Sequence, residues 1–397
     1  MEQQTMAQAL SGIRVVDFSH VLAGPIATHY LCMQGAEVTK IESAQGDTMR
    51  SYGGEEFPDR RSPSFISVNT GKRSVVLDLK DPEQLEAVCK LIANADVLVE
   101  NFRPGVMERL GLGYETCKAL NPRLVYCSIS GFGQSGPLRD SPAIDQIIQS
   151  MSGLMELSGE PGTPAMRVGF PVIDTFTGLL AAFAIVSALL QRSQHGVGQH
   201  IDVAMLDASL NMMMSVAGPY LVAGVVPKKT GNLGYSKSPT ADTFPTAEGE
   251  ITLGAVRQEQ YEALCRAVER EDLIGDSRFS NRQLRMRNRD ALREELNRTL
   301  STRTAIDWEK RFNAAGLAAG AVRTVPEALA LEHLEQRALT QPAQLGNAAQ
   351  VFKTGFLFAH DGAGVTLPAP RLGEHTREVL TEVGCKTDWI DRLCAIA

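Results

Sequence analysis

The sequence predicts an α/β protein built on a mostly parallel sheet, with a smaller α+β segment after it. Three observations carry this. The first half alternates short β-branched runs with amphipathic helical text at strand–helix–strand spacing, which implies right-handed crossovers. After residue 205 comes a Met-rich helix and then "GVVPKKTGNLGYSKSPTADTFPTAEGE", dense in Gly, Pro, Ser and Thr, which reads as a linker or loop. From about 250 to 325 the text is more charged and mixes helical with strand-like periods, and the tail from about 345 returns to apolar text.

Taken in order, "GIRVVDFS" (12–19) reads as a strand, and "PIATHYLCMQG" (25–35) as a short helix that Gly35 stops. "EVTKIE" (37–42) and "SVVLDL" (74–79) are further strands. "DPEQLEAVCKLIANA" (81–95) is an amphipathic helix with Asp81 as N-cap and Pro82 at its first position. "DVLVEN" (96–101), a helix over 114–120 and "LVYCSISGF" (124–132) continue the pattern. The apolar run Phe176–Leu190 is shorter than the roughly 20 residues that span a bilayer, and is expected as a buried helix.

Composition narrows the function classes. At 397 residues the chain is long enough for two or three lobes. Its 44% apolar and 21% charged residues are ordinary for a globular protein. The net charge of −7, from 46 acidic and 39 basic residues, argues against a general nucleic-acid binder. "RFSNRQLRMRNRDALREELNR" interleaves acids with its bases and reads as a solvated helix face. The seven cysteines are scattered and form no CxxC pair, as reduced thiols of a cytoplasmic protein would. "MEQQTMAQALSG" has neither the basic nor the apolar region of a signal peptide, so the expected location is cytoplasmic, with no membrane partner.

Several motifs suggest chemistry and then fail on context. "GFGQSG" (131–136) matches G-x-G-x-x-G after a strand, but Pro137 forbids a helix at the third glycine, and no acid ends a strand about 20 residues on. A nicotinamide or flavin is therefore not expected. His195 and His200 share a Gly-rich turn without a carboxylate or thiol at ligand spacing, so no metal is expected. Met212, Met213 and Met214 read as helix core or as the wall of an acyl pocket. No G-x-S-x-G elbow is present.

What remains is a carboxylate and a set of bases. Asp174 heads the apolar helix in "RVGFPVIDTFTGLLAAF" and reads either as its N-cap or as a catalytic group that the helix N-terminus keeps ionised. Gly178, in the first turn, fits either close ligand approach or close helix packing. Lys72, Arg73, Lys80, Arg103 and Arg109 fall at predicted strand ends and loops, where parallel sheets bind phosphorylated ligands.

Six segments, in order, resemble the class III CoA-transferases, the formyl-CoA transferase and carnitine CoA-transferase family. They are "LSGIRVVDFSHVLAGPIATHYLCMQGAEVTKIE" with "GD" at 46–47, "NTGKRSVVLDLK", "ADVLVENFRPGVMERLGLGYE", "NPRLVYCSISGFGQSGP", "PVIDTFTGLLAAFAIVSALLQR" and "LGEHTREVL". The resemblance implies Asp174 as catalytic residue. It implies CoA contacts at His20, Val21, Leu22 and Ala23, at Leu77 to Lys80, at Asn101, Phe102, Arg103 and Arg109, and at the segment ending in Ile144 and Asp145.

The same resemblance implies a Rossmann-like large domain (1–205 with 326–397), a linker (206–248), a small domain (249–325) and a homodimer of interlocked rings. Coenzyme A and its thioesters would be substrates, with no permanently bound cofactor. Leu22 stands where formyl-CoA transferase has glutamine, and 231–256 lacks that enzyme's glycine run, which weighs against formate and oxalate. The related α-methylacyl-CoA racemases carry a histidine where Ile144 stands, so transferase is preferred over racemase, and over a non-catalytic CoA-binding protein. Arg167, just upstream of Asp174, is a candidate for the second carboxylate of a dicarboxylic substrate.

Overall fold

The structure is a computed structural model that describes residues 8–53, 57–346, 348–358 and 364–396. It divides into two compact units. One takes in the described residues within Met1–Met155, Arg167–Val226 and Glu335–Ala397, the other Glu156–Met166 and Pro227–Leu334.

In the first unit the elements run β1 (Arg14–Asp17), α1 (Ala23–Cys32), β2 (Glu37–Glu42), α2 (Pro63–Asn69), β3 (Arg73–Val76), α3 (Pro82–Ala93), β4 (Val97–Glu100) and α4 (Val106–Arg109). They continue as α5 (Tyr114–Leu120), β5 (Val125–Ser130), α6 (Asp145–Met151), α7 (Leu154–Leu157), α8 (Val172–His195), β6 (His200–Ala204), α9 (Met205–Met212) and α10 (Met214–Ala223), with α7 at the junction of the units. The strands form one six-stranded sheet in the order β3-β2-β1-β4-β5-β6, and every pairing is parallel. This is the doubly wound order, in which the chain reverses direction across the sheet between β1 and β4.

Both faces of the sheet are covered, as a parallel sheet requires. On one face Val15, Val38, Val97, Val125 and Ile129 pack against Ala27 and Leu31 of α1 and Ala181, Ile185 and Ala188 of α8. On the other, Val16, Ile41, Val75 and Leu98 meet Val88, Leu91 and Ile92 of α3, closed by Val379, Leu380 and Ile390 from the chain's last helices. Helix α3 starts where its sequence says, with the Asp81 carboxylate accepting from the amides of Glu83 and Gln84. Helix α8 is longer than its apolar run suggests. At 24 residues it has the length and hydropathy of a membrane span, but one face lies on the sheet while Leu179, Phe183 and Leu190 are exposed.

The Met-rich stretch is two helices, α9 and α10, with Met213 at the break, and Met213 is buried. The second unit holds an antiparallel sheet of β7 (Thr243–Pro245), β8 (Glu250–Leu253) and β9 (Ala319–Ala321). Helices at Gln258–Ala267, Arg289–Leu300 and Ala305–Ala314 bury Tyr261, Leu296, Trp308 and Phe312 against Phe244 and Ile251 of that sheet.

Candidate active site

In a doubly wound sheet the ligand crevice lies beyond the carboxyl ends of the strands, where the order reverses. Here those ends are Asp17 of β1 and Glu100 of β4. The loops after them are stitched together. The Asn101 side chain accepts from the His20 amide (2.8 Å) and donates to the His20 carbonyl (2.8 Å), while the His20 ring packs on Phe102 at 5.3 Å. Beyond this seam opens a cavity of about 790 Å³. Val21, Leu22, Ala23, Asn101, Phe102, Arg103, Ile144, Asp145, Arg167 and Asp174 all line it.

Val21 forms the sharpest part of the wall. Its φ of 65° puts a β-branched residue in the left-handed region, a costly conformation that its surroundings must enforce. The Val21 amide donates to both oxygens of the Asp47 carboxylate (3.2 and 3.3 Å), and Asp47 pairs with buried Lys40 at 3.0 Å. Burial opposes ionisation of Asp47, but the Lys40 ammonium outweighs it and holds the pKa below the ordinary value.

Asp174 sits in the first turn of α8, three residues past Pro171, and caps nothing. The capping group comes from elsewhere: the Asp145 carboxylate accepts from the amides of Ile173 (2.8 Å) and Asp174 (3.1 Å). The N-cap reading of Asp174 is thereby corrected. So is the expectation that the helix terminus keeps it ionised. Burial, helped by the Asp145 charge, pushes the Asp174 pKa up to about 7. Gly178 is a packing glycine. A Cβ there would stand 2.6 Å from the Ala23 carbonyl oxygen and 2.6 Å from Ile26, so its absence lets α8 lie against α1.

The basic residues do not all gather. Lys72 is fully buried and pairs with Asp17 at 3.1 Å, with further bonds to the Pro25 carbonyl and Asn69. Burial lowers its pKa to about 8 against the pull of Asp17, which is itself held at about 2 because Lys72 and Lys40 outweigh its own burial. Arg73 begins β3, at the opposite end from the cavity, and pairs with Glu382. Lys72 and Arg73 are thus structural ion-pair partners, which corrects their reading as phosphate ligands. Leu77 is a buried core residue, and Lys80 is exposed beyond it. Arg109, at the end of α4, reaches the Gly105 backbone beside the cavity.

The cavity also takes in residues that sequence reasoning missed: Met49, Tyr52, Ser64 and Ser67 from the region around α2, and Arg139 and Ser141 from the loop after β5. The one available signal was "GFGQSGP", set aside as a failed dinucleotide fingerprint. Beneath the "ENFRPG" loop, Glu100 accepts from the Phe102 amide at 2.9 Å, and burial raises its pKa to about 7. Among the described residues no cluster of His, Cys, Asp and Glu could hold a metal ion.

A doubly wound sheet whose switch-point cavity joins a protonatable carboxylate to unpaired arginines defines a site for a phosphorylated carrier and an acyl group. The sequence model of CoA-transferase family III matches residues 10–376, and the chain belongs to that family. It is an enzyme that transfers CoA. A succinate–glutarate CoA-transferase of Agrobacterium fabrum is 36% identical, the match covering 94% of this chain and 95% of that one. An acetyl-CoA:oxalate CoA-transferase of Acetobacter aceti is 39% identical over 82% of this chain and 84% of its own. The crystal structure of a CAIB/BAIF family protein from Brucella suis superposes with a TM-score of 0.89 at 33% identity, covering 95% of this chain and all of that one.

Proposed function

We propose that the protein moves CoA from a dicarboxylic acyl-CoA such as succinyl-CoA to a second dicarboxylic acid, with Asp174 as the covalent relay. The observation that carries this is the placement of Asp174 on the wall of a cavity shared with Arg103 and Arg167. Ionised Asp174 attacks the donor thioester carbonyl, forming an acyl–aspartyl anhydride and releasing CoA thiolate. The thiolate attacks the aspartyl carbonyl, expelling the donor carboxylate and leaving an aspartyl-CoA thioester. The acceptor carboxylate attacks that thioester, and the thiolate released then attacks the acceptor's acyl carbonyl, restoring Asp174. Anhydride and thioester are both activated, so each step is near balance and no nucleotide is consumed.

Asp145 braces the first turn of α8 and, by raising the Asp174 pKa, makes the carboxylate a stronger nucleophile once it is ionised. Arg167 is exposed, and among the described residues it pairs with no acid; its recorded bond is to the Val168 carbonyl at 3.2 Å. It is available to hold a distal carboxylate. The similar proteins act on succinate, glutarate and oxalate, all dicarboxylic, so oxalate stays among the acids to be tried despite Leu22. The proposal extends to an interlocked homodimer in the cytoplasm, in keeping with the resemblance.

The test is chemical trapping. The protein is incubated with succinyl-CoA, treated with hydroxylamine and digested, and the peptide bearing Asp174 is weighed. A hydroxamate at Asp174 supports the relay, and an unmodified aspartate with every donor tried overturns it. α-Proton exchange into a 2-methylacyl-CoA without an acceptor acid would favour a racemase instead.

A further inference from the structure

We propose that Arg139 is a phosphate-binding residue for the coenzyme, forming a guanidinium clamp with Arg103 and Arg109. The inference rests on CoA being the substrate, and concerns how its phosphates are held.

The loop after β5 delivers Arg139 to the cavity edge. It is a fixed loop. The Gly133 amide donates to Ser130 Oγ (3.0 Å), the Gln134 amide donates to Asp202 of β6 (2.8 Å), and Gly133 and Gly136 take φ of 87° and 88°. These are left-handed turns that favour glycine, which explains the glycines of a motif that cannot hold a dinucleotide in the usual way. The guanidinium is fixed in turn, with Arg139 Nε donating to the Gln134 carbonyl at 2.9 Å. Its two terminal nitrogens remain for a ligand.

Across the cavity edge stands the loop after β4. A Cβ on Gly105 would lie 3.2 Å from an Arg109 nitrogen and 3.6 Å from an Arg139 nitrogen, so the two guanidiniums converge on one spot. Arg103 lines the same cavity. Among the described residues neither Arg103 nor Arg109 pairs with a carboxylate, and Arg139 has one 3.4 Å contact to Asp140, whose side chain is 81% exposed. Such an exposed pair contributes little. Like charges brought together without an acid between them repel, unless an anion joins them. Coenzyme A carries two such groups, a diphosphate and a 3′-phosphate.

The experiment compares the full-length wild type with R139A and R139Q, the latter keeping a polar side chain in the loop if R139A fails to fold. Initial rates are measured with succinyl-CoA and its 3′-dephospho analogue over a range of salt. KM for succinyl-CoA should rise on the order of tenfold in the variants, the loss falling on KM rather than on the rate at saturation, with a shallower salt dependence. If the penalty disappears with the dephospho donor, the clamp holds the 3′-phosphate; if it persists, the diphosphate. KM within twofold of wild type for both donors would overturn the proposal. Wild-type protein that neither binds nor turns over CoA would instead overturn the transferase reading itself.

Discussion

The Asp145 carboxylate accepts a hydrogen bond from the backbone amide of Asp174 at 3.1 Å, so two acids 29 residues apart in sequence share one helix N-terminus. One acid is occupied in bracing the helix, and its negative charge opposes ionisation of the other.

The first consequence is a pH profile. Covalent attack needs ionised Asp174, whose pKa is pushed up to about 7, so the rate should fall as pH drops through neutrality. Asp145→Asn retains an acceptor for the two amides but removes the charge. The acidic limb of kcat/KM should then move down by about half to one pH unit. A limb unmoved in D145N would show that burial alone sets it.

A second consequence concerns stability. Asp174 ionises near 3.8 in the unfolded chain and near 7 when folded, so the unfolded state loses its proton first as pH rises. The folded state is therefore penalised progressively from about pH 4 to 7, and fully above that. Asp174→Asn should abolish turnover yet raise stability at pH 8 by on the order of 1–2 kcal/mol, a figure discounted for partial exposure, with no gain near pH 4. Urea titrations at the two pH values check this.

Lys72 should behave as a structural residue. Lys72→Met strands a buried Asp17 carboxylate and should cost about 3–5 kcal/mol. KM for acyl-CoA in the surviving folded fraction should remain that of wild type. A raised KM with unchanged stability would return Lys72 to the phosphate site.

Gly178→Ala should also act through packing. The added methyl would meet Ala23 and Ile26 at 2.6 Å, pushing α8 away from α1 at about 1–3 kcal/mol. Because Asp174 lies one turn away on α8, activity should fall beyond what lost folded protein explains, which rates normalised to folded fraction would show.

Much of the fold could be read locally. The parallel sheet follows from strand–helix alternation, and the start of α3 from Asp81 and Pro82, because caps and periodicity are short-range. The site was legible in part. Asp174 and the "ENFRPG" loop stood out, and the structure brings both to one cavity. Residues whose role depends on distant partners were misread. Lys72 looks like an exposed basic turn in "NTGKR", and only Asp17, 55 positions earlier, buries it. Asp174 looks like a cap until Asp145 arrives from α6 to take that place. Arg139 gains its meaning from Gly105 and Arg109 across the cavity edge. Such pairings leave no periodic trace.

The large unit is completed by the far end of the chain. Val379, Leu380 and Ile390 close the layer over Val75 and Leu77, the His375 amide donates to the Ser74 carbonyl at 2.9 Å, and the whole of Pro227–Leu334 intervenes. During synthesis, then, a hydrophobic sheet face stays bare for some three hundred residues of translation, while the inserted unit has all its own strands and helices long before. Ribosome-bound chains halted before residue 376 should expose apolar surface and draw chaperones, and release should come only when the last two helices emerge.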